Sequence, residues 1–213
     1  MSLTLAIDCA MRWINLGLGE GDAFLGCESI HSGAKQGDVL PVVVDEFISR
    51  FGRNLSDIER IAVTVGPGYY TGIRVGLSYA TALAESLGAR VVPMATLHAM
   101  AYGFFATPLL VVPVVKARTG AVYAAAYRAG AQVMEETFLE AAQLVERISI
   151  FAVAQNETVF LGEDAEYFPE IAHYGASIMH ASHFVGHNMI AVARKISAVD
   201  PATVRALYLR NPD

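Results

Sequence analysis

The segment Gly66-Pro67-Gly68-Tyr69-Tyr70-Thr71-Gly72-Ile73-Arg74-Val75-Gly76 is the stretch of this sequence whose residue types and spacing could best do chemistry. It follows a continuous apolar run at 61–65 and opens a second apolar pattern that ends at Gly88. Glycines permit positive φ and close backbone approach, and the free amides of a helix's first turn attract an anion. Thr71 is placed to cap that helix, so Gly66, Gly68, Thr71 and Gly72 make a candidate anion site. The same residues equally describe a tight strand-to-helix turn, with Gly72 and Gly76 one helical turn apart for close packing. The segment lacks the Gly-Lys-Ser/Thr of a Walker loop and is not a dinucleotide fingerprint. Asp8 closes the apolar run 3–8. It reads either as the remnant of a phosphate or metal site or as a strand terminus bonded to the next turn, and one carboxylate is too few for a metal. His183 and His187 form an H-x-x-x-H on an expected helix, a spacing that can hold a metal. No acidic residue lies between them to serve as the base of a zincin, so they are expected to be packing or surface histidines. Neither a metal site nor a catalytic residue is expected.

The elements that must position these groups come in two runs. Residues 3–8, 13–18 and 23–30 read as three antiparallel strands with short turns, followed by a helix at 38–51 with Asp38 as its cap and Pro41 in its first turn. A strand at 61–65, buried on both faces, leads through the glycine turn into a helix at about 72–87 and a strand at 90–93. The pattern then restarts: strands at 109–115, 121–127 and 132–138, a helix near 140–148, a strand at 158–161, a helix near 164–172, a strand at 176–180 and a helix at 184–197. Two α/β lobes of related topology fit this order, with residues 1–96 forming the first and 97–213 the second. The repeat is architectural and not one of residue identity.

Composition narrows the function. The chain has 213 residues, 54% of them hydrophobic and only 17% charged, which is ample for a core and leaves apolar surface for a partner. With net charge −6 it is poorly suited to hold nucleic acid alone, because phosphate contacts need clustered Lys and Arg. Cys9 and Cys27 lie in segments that read as strand and are expected to be buried apolar residues, with no C-x-x-C pair for zinc or redox work. The opening residues do not resemble a signal peptide and no apolar run is long enough to span a membrane, so a cytoplasmic location is expected.

Several of these segments resemble, in order and spacing, the TsaB (YeaZ) family, also labelled glycoprotease-like. The glycine-rich segment is similar to that family's GPGSFTGLRIG. Leu5-Ala6-Ile7-Asp8 resembles its opening L-x-I-D-T strand, Met94-Ala95-Thr96-Leu97 its V-S-T-L before a helix, Ala117-Arg118-Thr119-Gly120-Ala121-Val122-Tyr123 its DAR-x-G-E-V-Y hairpin, and Leu207-Tyr208-Leu209-Arg210 its P-x-Y-L-R. The resemblance implies a two-lobed actin-like or sugar-kinase fold, each lobe a mixed five-stranded, ribonuclease-H-like sheet with helices. It also implies a non-catalytic subunit that binds and activates a TsaD-like catalytic subunit, together with a TsaE-like ATPase, to place threonylcarbamoyl on the adenosine next to the tRNA anticodon. Contact with tRNA would then run only through the complex. No cofactor of the chain's own is expected, ATP belonging on the partner or at the interface with it. Three departures bear on a rival reading as an actin-fold ATPase or phosphotransferase: Tyr69-Tyr70 replaces Ser-Phe, Cys9-Ala10 replaces Thr-Ser or Thr-Ala, and Lys116 stands where the family has Asp. By the fold resemblance, carboxylates opening each lobe organise a metal, and a lysine there cannot. A metal-dependent peptidase is a further rival, resting on the histidine pair alone.

The helices at 38–51 and 72–87 are apolar on more than one face. By the resemblance they form the partner interface, through Leu40, Val44 and Phe47 of the first and Ile73, Gly76, Leu77, Ala80 and Ala84 of the second. The same helices could pair two copies into a homodimer. On this reading a charge at Gly76 breaks the assembly and leaves the fold intact.

Overall fold

A computed structural model describes residues 2–151, 154–174, 176–180 and 184–209. Strands β1 (Leu3–Asp8), β2 (Trp13–Glu20) and β3 (Ala23–His31) form an antiparallel meander, continued by α1 (Gln36–Ser49), β4 (Ile58–Thr64), α2 (Tyr70–Leu87) and β5 (Arg90–Met94). β4 and β5 add in parallel on the other side of β1, giving the order β3-β2-β1-β4-β5. After α3 (Thr96–Ala101) the plan repeats with β6 (Leu110–Arg118), β7 (Ala121–Arg128), β8 (Ala131–Glu140), α4 (Ala141–Ser149), β9 (Thr158–Leu161), α5 (Pro169–His173), β10 (Ser177–Met179) and α6 (Val185–Ala193). The second sheet has the order β8-β7-β6-β9-β10, strand for strand that of the first.

Alternation along the strands divides the interior into three layers. On β1 and β4 the large side chains Leu5, Ile7, Ile61 and Val63 face one way and pack with Leu40, Val44 and Phe47 of α1 and Ala80 and Ala84 of α2. The second sheet does the same with Val112, Val114 and Phe160 against Leu144 and Ile148 of α4 and Ile171 of α5. Between the sheets, Ala6, Ala62 and Val92 of the first and Val111, Val115 and Val159 of the second enclose α3 and α6. Small residues on the middle face of the first sheet let a helix lie against backbone. A Cβ on Gly17 would stand 2.3 Å from the Gly186 carbonyl oxygen, and one on Gly186 would stand 2.2 Å from that of Leu16.

This middle layer corrects the boundary expected at residue 96. Although α6 follows the second sheet in sequence, it packs on β1, β2 and β3, while α3, which precedes that sheet, packs on β6 and β7. Beyond α6 the chain stays with the first lobe: Val199 pairs with Val91, and the Leu207 amide donates to the Val65 carbonyl (2.7 Å). Arg60 on β4 donates to the carbonyls of Ala193 and Ile196 (2.7 and 3.1 Å), satisfying acceptors that the end of α6 leaves open. The first lobe is therefore residues 2–94 with 185–209 returning to it.

Smaller differences have local causes. α1 begins at Gln36, so Asp38 sits within its first turn and does not cap it, and Pro41 lies inside the helix. The helix expected near 164–172 shortens to α5 behind a 3-10 turn at Ala165–Tyr167, because Pro169 starts a helix and cannot continue one. Cys9 is buried as expected, whereas Cys27 is exposed because β3 is an edge strand.

Gly186→Ala is expected to cost about 1–3 kcal/mol of stability, since the added methyl meets backbone that cannot rotate away. Chemical denaturation of the variant beside the wild type measures this. An unchanged midpoint would show that α6 does not need its close approach to β2.

Candidate functional site

The glycine turn and the end of β1 meet at the mouth of the cleft between the lobes. Asp8 is fully buried. Its carboxylate accepts from the Thr64 hydroxyl (2.6 Å), the Asn15 amide nitrogen (2.8 Å) and the Ala10 backbone amide (3.0 Å). Burial raises its pKa, while these three donors pull the other way. Asp8 thus ties β1, β2 and β4 together, and the donors around it come from strands and turn, not from Lys116, which is only half-buried at the end of β6.

The glycines serve backbone contact. A Cβ on Gly68 would stand 2.4 Å from the Ala10 carbonyl oxygen, and one on Gly72 would stand 2.0 Å from that of Cys9. Gly66 combines φ +112° with a Leu207 carbonyl oxygen 2.5 Å from where its Cβ would be. The turn is therefore packed against the residues that follow β1 and against the returning chain. Gln36, also buried, sends its side-chain amide to the carbonyls of Cys9, Met11 and Trp13, the shortest contact being 2.7 Å to Met11. Thr71 is exposed and lies inside α2, whose N-cap is Tyr69 with no side-chain cap; the capping role expected of Thr71 is not realised. Asp8 is enclosed by its donors and Gly68 and Gly72 lie against the Ala10 and Cys9 carbonyls, while a pocket of about 350 Å³ opens beside Tyr69, Thr71, Gly72 and Gln36.

A second group of residues crosses the cleft, and sequence reasoning does not find it. The Tyr69 hydroxyl donates to Asp164 of the second lobe (2.6 Å), and Arg12 lies 3.7 Å from the other oxygen of that buried carboxylate. Burial and the Asp164 hydrogen bond push the Tyr69 pKa up, so its proton stays on the phenol. Tyr69 is visible in the sequence only as a departure at its position. Asp164 follows β9 as the glycine turn follows β4, and overlaying the strand order of the two lobes is the signal that could have found it.

The partner-interface expectation also needs correction. Leu40, Val44, Phe47, Ile73, Gly76, Ala80 and Ala84 are buried in the first lobe, and a partner cannot reach them; Leu77 alone of that set is partly exposed. A Cβ on Gly76 would already stand 3.1 Å from Cys9 Cβ, so a charge there disturbs the core. The accessible faces of α1 and α2 carry other residues: Val42, 57% exposed, and the partly exposed Val39, Val43, Val75, Tyr79 and Leu83. Arg74 is exposed and lies over the Tyr70 ring at 5.3 Å, which places its charge in the first turn against an aromatic face. His183 lies outside the described residues; His187 packs edge-on against Phe24 (4.6 Å). Among the described residues no three His, Cys, Asp or Glu side chains come together as a metal-binding group, and no helix is long and apolar enough to cross a membrane.

Two mixed five-stranded sheets of identical strand order, enclosing a shared helical layer, define an α/β protein of the two-lobed actin-like class. Residues 35–208 match the family model described as "TsaD: tRNA N6-adenosine threonylcarbamoyltransferase". The chain belongs to this family, on its TsaB (YeaZ) side. It is 29% identical over 109 residues to the tRNA threonylcarbamoyladenosine biosynthesis protein TsaB of Bacillus subtilis, a match covering 51% of this chain and 48% of that one. It is 36% identical over 94 residues to the Escherichia coli protein of the same description, covering 42% and 39%. The matched stretches thus span less than half of these relatives' own length. YeaZ from Pseudomonas aeruginosa superposes over 98% of this chain and 100% of its own, with TM-score 0.76 and 22% identity, a likeness of fold.

Asp8→Ala is expected to lower stability by about 1–3 kcal/mol, because it leaves buried donors on Thr64, Asn15 and Ala10 without an acceptor. Thermal unfolding of the purified variant measures this; an unchanged melting temperature would return Asp8 to the list of ligand-binding candidates.

Proposed function

We propose that this chain is the non-catalytic subunit of a tRNA threonylcarbamoyl-transfer complex, and that it binds and activates a TsaD-like catalytic subunit. The observation that carries this reading is the exposure of Val42 on α1 (57%), together with the partial exposure of Val39 and Val43 on α1 and of Val75 and Leu83 on α2. Membership of a family whose members are described by this modification supports the choice of partner. The enclosure of Asp8 by its own donors supports a role without phosphate chemistry at that carboxylate. Activation then works by selection: contacts that favour the active conformation of the partner raise its population. ATP belongs to a TsaE-like ATPase, to the catalytic partner or to the interface. With net charge −6 the chain leaves tRNA contact to the complex. The setting is the cytoplasm, where the tRNA is, and the same outer face pairs two copies when the partner is absent.

Threonylcarbamoyl transfer to tRNA, reconstituted from the TsaD-like and TsaE-like partners of the same organism, is expected to require this chain, while the chain alone turns over no ATP. Transfer that is indifferent to its presence would sink the proposal. Val42→Glu replaces an exposed side chain, so it is expected to weaken binding of the catalytic subunit at least about tenfold, as a buried unpaired charge does, with the melting temperature unchanged. Calorimetric titration gives the affinity; full-strength binding by the variant would move the interface elsewhere.

A further inference from the structure

Two-lobed folds of this kind leave a cleft that nothing in the chain need close. Here the cleft is crossed by side chains of both lobes. Tyr69 is fixed at its base: its amide donates to the Ala10 carbonyl (2.7 Å) and its carbonyl accepts the first bond of α2, from the Ile73 amide (2.9 Å). Its hydroxyl reaches Asp164, 95 residues away, at 2.6 Å. Asp164 is 6% exposed and is held by its own turn, its carbonyl accepting from the Tyr167 amide (3.1 Å). Arg12, from the turn after β1, adds its charge at 3.7 Å while remaining half exposed. Two pockets lie beside these residues. One, of about 350 Å³, is bordered by Tyr69, Thr71, Gly72 and Gln36; the other, of about 250 Å³, by Asp164, Glu163, Trp13 and His180. Arg12 lines both.

We propose that Tyr69, Asp164 and Arg12 form a clasp that joins the two lobes across the cleft and holds them at one relative angle without needing a ligand between them. A phenol on a buried carboxylate is a charge-assisted bond, and the tyrosine ring is a stiff spacer with only two side-chain torsions to fix. A hydrogen bond to a charged acceptor is favourable even net of the water it replaces, so the closed arrangement is favoured over one in which the lobes swing apart. Arg12 of the clasp borders both pockets, one on the Tyr69 side and one on the Asp164 side. The clasp itself rests on contacts within this chain and stands whether or not the partner reading holds.

Amide hydrogen exchange on the full isolated chain tests this. Tyr69→Phe removes the hydroxyl and keeps the ring; Asp164→Asn keeps an acceptor for Tyr69 but drops the charge opposite Arg12. In Tyr69→Phe, exchange is expected to quicken about tenfold in the opposite lobe's turn at 162–168 as well as at 66–72, the loss of one hydrogen bond to a charged group being of that size. In Asp164→Asn the same two segments respond by a smaller factor. The reciprocity is what a purely local packing role does not give. Faster exchange confined to the mutated lobe, faster exchange spread evenly over the chain, or no change in either variant overturns the proposal.

Discussion

The close approach of α6 to the first sheet is the constraint on which the rest of the structure depends. Gly17 and Gly186 bring helix backbone against strand backbone, at a separation that any side chain on either would prevent. That contact places α6 beside α3 and so builds the middle layer that both sheets share. With the layer in place, the ends of β1 and β4 face those of β6 and β9 across a cleft, and Tyr69 and Asp164 come within one hydrogen bond of each other. Were the two sheets joined only by a linker, neither the cleft nor its closure would be defined.

Asp8 and the glycine turn are committed to the fold. Asp8 is enclosed by Thr64, Asn15 and Ala10, and Gly68 and Gly72 lie against Ala10 and Cys9. Satisfying a buried carboxylate internally adds rigidity and removes chemistry, because each donor used within the chain is withheld from a ligand. Among the described residues, exposed apolar side chains remain at Val42 on α1 and Tyr70 on α2, and also at Ile150, Tyr167 and Phe184 in the second half of the chain.

Much of this is legible in the sequence because it is local. The strand meanders, the buried run before the glycine turn and the helix ended by Gly88 all follow from period and turn chemistry, and the doubled order of elements shows two related lobes. What is not legible depends on packing between distant segments. Apolar residues on α1 and α2 mark both a core stripe and an outer stripe, and periodicity does not say which faces the sheet; hence Leu40, Val44, Phe47 and Ala80 read as interface when they are core. The return of 185–209 to the first lobe and the Tyr69–Asp164 bond join residues far apart in the chain, and no local pattern carries such a partnership. Cys27 reads as buried because strand propensity does not distinguish an edge from a centre.

The return of the chain to its starting lobe also governs how the molecule comes to be made. Although β1 to β5 are synthesised first, the face that receives α6 stays uncovered until residues 185–193 have emerged, and the β5 edge waits for Val199. The ribosome therefore releases a nascent first sheet with apolar surface and a strand edge exposed, while the whole second sheet is still being added. Contacts of such long sequence separation are slow to close, and partly covered sheets are prone to associate. For this architecture, completion of the early half is an event of late synthesis.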